Sequence, residues 1–418
     1  VYYRDLEKLE VIDDYTFKVH WRNRYFRSEE LTLGLSPLPR HLYHAYPGPF
    51  NADKFNEDHQ RNRILIGCGP YRFLSWDKDR RVVFTRFQKY FGNKLGIAPP
   101  IKYCVFEIIK HPNTRFQALL ASKLDRLGLE PVQWVKRTNT PEFAPDGKLR
   151  KMKYLSRAYY YMGYNLTRPQ FKDKRVRQAL THLVNRKKIL KDVYYGLGKI
   201  VTGPFYSETP YYDKSIKPYD FSVSEAKKLL AEAGWKDTDS DGILEKDGMK
   251  FEFTILQVAN NPIQQKMLPI IKEDFAKAGI NMKIQTLEWS VLLQRLTEKN
   301  FDVCVLGWTL PYESDPYQVW HSSQADKKHS SNHIGFKNKK ADQLIEEIRR
   351  TFDVKKRIEL CREFHRILHE EQPYTFLFAP YSLLAQSRRY KNVHKFPLGI
   401  PTEIMWTPKS EQLKVPGL

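Results

Sequence analysis

The sequence predicts an α/β protein of two lobes, one built on a doubly wound, largely parallel sheet and the other rich in β-structure. Three observations carry this expectation. The 418 residues exceed what one ordinary hydrophobic core organises, so two or three domains are expected. Residues 251–308 alternate strand and helix in a β-α-β-α-β order, which requires right-handed crossovers and a sheet covered on both faces. The flanking stretches, residues 1–110 and 373–387, read as strands, so the chain crosses between its lobes more than once.

Within residues 1–110, strands are expected at VIDDYTFKVHW, GPYRFLSW and RVVFTRF, separated by turns rich in Pro and Gly, with little long helix. SVSEAKKLLAEAGW (222–235) carries a capping box, Ser222 with Glu225, and stops at Gly234. FEFTILQV (251–258) is a strand. Asn261 and Pro262 then cap a helix whose buried stripe is Ile263, Met267, Ile270, Ile271 and Phe275, closed by Gly279. INMKIQTL, WSVLLQRLTEKN and FDVCVLGW continue as strand, helix and strand. Residues 341–372 form one or two amphipathic helices before the strand-like PYTFLFAPYSLLAQS.

The formal net charge of +22 raises nucleic acid, an anionic surface or an acidic solute as partners. The densest basic stretch is FKDKRVRQALTHLVNRKKILKDV (171–193). There Val176, Leu180, Leu183, Val184, Leu190 and Val193 recur at helical spacing and leave most Lys and Arg on a solvated face. The rival reading, a phosphate-binding face, has no RNP sequence or zinc finger beside it, and no nucleic-acid partner is expected. Four scattered cysteines (Cys68, Cys104, Cys304, Cys361) without a CxxC support neither a zinc ribbon nor a disulfide scaffold. There is no run of eighteen apolar residues, and VYYRDLEKLE is not a signal sequence.

Signatures of catalysis are absent: no GxSxG, HExxH, Walker A loop or GxGxxG, with GCGPYR at 67–72 one glycine short. DTDSDGILEKDG (237–248) suggests a calcium loop through Asp237, Asp239 and Asp241, but its twelfth position is Gly248 where a bidentate Glu is needed, so it reads as an acidic turn. His321, His329 and His333 fit no compact ligand spacing, and His41 and His44 fit less well; neither a metal nor any other cofactor is expected. NLT at 165–167 is a glycosylation acceptor only in a eukaryotic secreted protein. A chain of this length without a catalytic constellation is expected to bind rather than to catalyse. The conspicuous candidate is GWTLPYESDPYQVWHSS (307–323), a loop rich in aromatics, prolines and acids directly after a core strand, where open α/β sheets hold ligands.

Six stretches taken together resemble the family 5 extracellular solute-binding proteins, the peptide and nickel binding components of ABC importers. GPYRFLSWDKDRRVVFTRFQKYFG resembles the family's Gly-Pro-Tyr strand pair, and FKDKRVRQALTHLVNRKKIL its Phe-x-Asp-x-Arg-Val-Arg-x-Ala helix. SVSEAKKLLAEAGW, the DxDxDG turn, GWTLPYESDPYQVWHSS and SNHIGFKNKKAD follow in the family's order, between about residue 8 and about residue 407.

The resemblance implies a two-lobed periplasmic-binding-protein, or Venus flytrap, fold. Lobe I would comprise residues 1–155 and 376–418 and lobe II residues 156–375, with hinge strands near YYYMGYN (159–165) and PYTFLFAPY (373–381). Capture would be closure over a peptide-like or other small polar solute for delivery to an ABC transporter permease, at a periplasmic or extracytoplasmic membrane-associated location. Relative to the family, VYYRDLEKLEVIDDYTFKVHW falls partway through the first lobe; any signal or lipid anchor would lie before it. The implied ligand wall is Trp308, Tyr312 and Tyr317 as apolar platforms, Glu313 as the nearest charge, with Trp320 and with Asn165 from the hinge segment; Asp315, before Pro316, reads as a turn residue. Peptide-binding relatives often place an Asp about three residues after the tryptophan, and dipeptide binders an Arg after the strand matching 251–258. Pro311 or Tyr312 and about Val258 stand there instead, which disfavours tight general binding of free dipeptides. The alternative function is the ligand-sensing domain of a transcriptional regulator whose DNA-binding part lies outside this sequence.

Overall fold

The five strands of the central sheet are Ala158–Tyr164 (β1), Glu252–Val258 (β2), Asn281–Leu287 (β3), Val303–Thr309 (β4) and Tyr374–Phe376 (β5), in a computed structural model describing residues 2–44, 47–51, 55 and 66–414. Their spatial order is β3-β2-β4-β1-β5. β2 runs parallel to β3 and β4, while β1 runs antiparallel to β4 and β5, so a single reversed strand interrupts a largely parallel sheet.

Alternation along these strands sends side chains to two separate cores. Met162, Tyr164, Phe253, Ile255, Val303 and Val305 face helices Lys174–His182 (α1), Val223–Glu232 (α3) and Pro262–Ala276 (α4). Tyr161, Leu256, Cys304, Tyr374 and Phe376 face helices Trp289–Thr297 (α5), Lys339–Arg350 (α6) and Val354–Glu371 (α7). Each fully buried large apolar side chain contributes about 1.5–3 kcal/mol, so both faces are strongly held. The caps fall where local chemistry requires them: the Asn261 side chain accepts from the N–H groups of Ile263 and Gln264, Ser222 accepts from Glu225 N–H, and Gly279 takes φ 77°.

The chain divides into two compact units: an α/β unit of Val1–Leu33 with Leu155–Tyr381, and a β-rich unit of Gly34–Tyr154 with Ser382–Leu418. The β-rich unit contains an antiparallel sheet of Tyr71–Asp77, Arg81–Arg86 and Tyr103–Glu107. A second sheet is centred on Phe378–Ser387 (β6), which runs from one unit into the other. The division differs from the sequence map in residues 1–33, expected with residues 34–155. They group with the α/β unit because Phe26 N–H donates to the Arg349 carbonyl and the Tyr25 hydroxyl to Asp315. VIDDYTFKVHW is also no single strand: Leu6–Val11 and Phe17–Trp21 pair as a hairpin that turns at Asp13–Thr16.

The basic stretch 171–193 is likewise two helices, α1 and Arg186–Asp192 (α2), with Asn185 capping the second. Two of its arginines are buried rather than solvated. Arg177 donates to the carbonyls of Phe171, Lys172 and Glu371 and pairs with the Glu371 carboxylate at 3.0 Å. Arg186 donates to the carbonyls of Phe376 and Tyr219.

Candidate functional site

The candidate site is built where β4 ends. Leu310 N–H donates to the Arg157 carbonyl, and the chain then passes through Pro311–Pro316 into the short helix Tyr317–Trp320. Asp315 Oδ1 accepts from Tyr317 N–H at 3.0 Å, the local bond expected of a turn residue ahead of a proline.

Trp308 is half-buried and belongs to a stack of rings. Its ring lies 6.4 Å from Tyr161 at an interplanar angle of 9°, and 6.4 Å from His333 at 3°. Tyr161 in turn stacks on Tyr374 at 3.8 Å, and Trp320 tilts against Tyr374 at 4.7 Å. Gly163 permits this approach, because a Cβ there would lie 3.0 Å from the Tyr161 ring and 3.1 Å from that of Tyr374. Burial, with Lys299 nearby, holds the His333 imidazole down to about 4, so the ring beside Trp308 is neutral at physiological pH.

The two loop carboxylates are fully engaged. Glu313 accepts from the Tyr211 hydroxyl at 2.6 Å and from Arg357 at 2.8 Å. Asp315 Oδ2 accepts from the Tyr25 hydroxyl at 2.7 Å and pairs with Arg349 at 3.1 Å, with no exposure of its side chain. The Arg349 guanidinium lies over both the Tyr25 and Tyr317 rings at 4.5 Å, and Arg357 over Phe26 at 4.5 Å. Desolvation, followed by the Asp315 charge, pushes the Tyr25 hydroxyl well above the usual phenol range and keeps it a donor.

The six residues singled out in the sequence therefore separate. Trp308 and Tyr312 reach solvent, Tyr312 with 47% of its surface exposed. Tyr317 is buried, stacked on His321 at 4.4 Å, with its hydroxyl taken by Arg4 and Ser323. Trp320 is buried in the core beneath the stack. Glu313, expected as the nearest charge, is neutralised by Arg357. Asn165 is fully buried, donates to the carbonyls of Lys299 and Phe301 and accepts from Thr167, so it anchors the turn leading into β4 and has no donor left for a ligand. Tyr25, Tyr211, Arg349 and Arg357 were not legible as parts of the site, because they come from distant segments with no shared motif.

Among the described residues, one group of acids has metal-ligand spacing: Asp237, Asp239, Asp241 and Glu245. The Lys250 ammonium already sits among them, 3.2 Å from Asp239 and bonded to Asp241, which fits the acidic-turn reading. All four cysteines are free thiols, and burial pushes those of Cys304 and Cys361 up to about 12.

Residues 1–330 match the profile described as bacterial extracellular solute-binding proteins, family 5 Middle. The chain belongs to this family. Its members are solute-binding proteins, and the fold is the two-lobed α/β class expected from the sequence. The chain is 30% identical to the oligopeptide-binding protein AppA of Bacillus subtilis over 392 residues, covering 92% of this chain and 68% of AppA. It is 28% identical to the dipeptide-binding protein of Escherichia coli over 334 residues, or 79% of this chain and 57% of that protein. The chain thus spans between about half and two thirds of the length of these relatives. Among solved structures, AppA in complex with a nonapeptide superposes with a TM-score of 0.84 at 28% identity, covering 97% of this chain and 79% of AppA. NikZ from Campylobacter jejuni, in complex with Ni(L-His), shares the fold at a TM-score of 0.80 and 23% identity, covering 96% and 77%. No helix among the described residues is long and apolar enough to cross a membrane.

Proposed function

We propose that this chain captures a peptide-like solute outside the cytoplasm and presents it to the permease of an ABC importer at the membrane, with Trp308 and Tyr312 meeting the solute. Family membership and the oligopeptide and dipeptide binders among its relatives support the solute class. The observation that carries the reading is the partly exposed Trp308 at the carboxyl end of β4, backed by a stack of buried rings while both neighbouring carboxylates are paired. Such a surface holds a solute by ring contacts and main-chain hydrogen bonds rather than by its charged ends.

Tight binding of free dipeptides is not part of this reading. A hydrogen bond to a charged group contributes about 1.5–3 kcal/mol, so forgoing anchors for both peptide ends costs roughly a hundredfold to ten-thousandfold in affinity. Calorimetry with nonapeptides of mixed sequence and with a dipeptide mixture tests it. Nonapeptides bind more tightly, and Trp308→Ala weakens that binding by about 1 kcal/mol or more. Sub-micromolar affinity for free dipeptides, unchanged in Trp308→Ala, would overturn both the solute class and the role of the loop.

A further inference from the structure

We infer that Tyr25 and Phe26 are positioning residues for the solute loop: by holding Arg349 and Arg357 they keep Asp315 and Glu313 occupied, so the loop recognises solutes without regard to a positively charged amino terminus. This deepens the proposed function and rests on it for the identity of the solute, but not for the geometry of the clamp.

The clamp has two matched halves. In the first, Arg349 from the end of α6 lies over the rings of Tyr25 and Tyr317, each 4.5 Å away, while it pairs with Asp315 at 3.1 Å. Tyr25 also donates directly to the same carboxylate oxygen at 2.7 Å. In the second, Arg357 from α7 lies over the Phe26 ring and pairs with Glu313 at 2.8 Å. Phe26 N–H donates to the Arg349 carbonyl at 2.9 Å, which registers the two consecutive rings against the two helices. A guanidinium covered by an aromatic face loses water on that side, and its pairing with a carboxylate strengthens accordingly. Each ring therefore raises the cost of releasing the acid it overlies through the arginine. With both acids committed, an ammonium group on a solute meets Trp308 and Tyr312 but no free carboxylate in this loop.

Hydrogen exchange and calorimetry on the full chain test this. Tyr25→Ala accelerates amide exchange in residues 310–320 by about tenfold or more, while β1 and β2 stay protected. Tyr25→Phe, which keeps the ring and loses the hydroxyl, gives a smaller increase, and Phe26→Ala acts mainly around Glu313. In calorimetry the wild type binds N-acetylated and free-amine nonapeptides of mixed sequence with affinities within about threefold of each other. Arg357→Gln, which removes the cation from Glu313 and leaves it only the neutral Tyr211 hydroxyl, shifts the preference toward the free amine by fivefold or more. Unchanged exchange in residues 310–320 of both Tyr25 variants would overturn the clamp. A wild-type preference for free amines above about tenfold, or no shift in Arg357→Gln, would overturn its role in specificity. If the wild type binds neither peptide form, the proposed solute class fails, and the exchange measurement alone decides the clamp.

Discussion

Charge is managed differently in the two units. The α/β unit has 42 lysines and arginines against 36 acids, whereas the smaller β-rich unit has 28 against 12. In the α/β unit, arginines are drawn inward and given partners: Arg177 meets three carbonyls and a carboxylate, Arg349 and Arg357 meet the loop acids. In the β-rich unit the described ion pairs are Arg80 with Asp77, Arg389 with Asp125 and Lys391 with Glu411, all at least partly exposed. The net charge of +22 therefore comes mostly from the β-rich unit, not from the basic stretch 171–193 that stands out in the sequence. A count of charges locates a candidate electrostatic surface only after the arginines that serve as internal struts have been removed from it.

The sharpest test of this contrast removes one strut. Arg177→Met keeps the length of the side chain and leaves the carbonyls of Phe171, Lys172 and Glu371 without their donor inside the protein, with the Glu371 carboxylate unpaired. The Arg177 side chain is 4% exposed and that of Glu371 26%, and stranding three carbonyls together with a mostly buried carboxylate costs about 3–5 kcal/mol. Urea unfolding followed by circular dichroism should show a loss of that size that changes little between low and high salt. A loss below about 1 kcal/mol would mean that the carbonyls find water and that Arg177 is no strut.

A second test uses pH. His365 on α7 is fully buried, with Nδ1 accepting from Asp213 N–H, so its Nε2–H is left to donate to Thr202 Oγ1 at 3.0 Å. Desolvation lowers it from the ordinary value near 6.5 to about 4, with Asp213 and Arg366 as its charged neighbours. Between those two pH values the unfolded chain takes up a proton that the folded chain refuses. This contribution to stability is thus complete above about pH 6.5 and is lost as pH falls towards 4. The loss is on the order of 3 kcal/mol for this residue once the pH is well below 4. His365→Gln should flatten that part of the stability profile; an identical slope in the variant would assign the pH response to other groups.

What was legible follows from how local each signal is. Residues 251–308 read correctly as β-α-β-α-β because strand and helix periods, the Asn261 cap and the Gly279 stop all lie within a few residues of what they specify. The solvent-reaching positions of Trp308 and Tyr312 follow from their place at the end of a core strand and in the loop that leaves it. Trp320 belongs to the same aromatic-rich stretch and Asn165 lies in the implied hinge segment, but their burial depends on Lys299, Phe301 and Tyr374, which no local pattern connects to them. The partners of Glu313 and Asp315 were hidden for the same reason. The bond between Tyr25 and Asp315 spans 290 residues, and a tyrosine in a hairpin-rich segment carries no mark of the helix arginine it will cover. Glu313, expected as the nearest charge, has each carboxylate oxygen paired by a residue that lies far away in sequence.

The smallest expected effect completes the contrast, because it comes from the β-rich unit's best-formed ion pair. Arg389 binds Asp125 through two nitrogens at 2.8 and 2.6 Å and donates to the Tyr390 hydroxyl at 3.0 Å, a geometry as good as that of Arg177. Its partner is 37% exposed, however, and when Arg389→Met removes the guanidinium, water can replace it at the Asp125 carboxylate. The expected loss is about 1 kcal/mol at low ionic strength, shrinking in 0.5 M salt, where the screening length falls below about 5 Å. Measuring Arg389→Met and Arg177→Met side by side at both salt concentrations separates burial from bond geometry as the cause of the difference. If Arg389→Met costs as much as Arg177→Met and ignores salt, bidentate geometry rather than burial sets the strength of these pairs. The β-rich unit's charge would then be as firmly structural as that of the α/β unit.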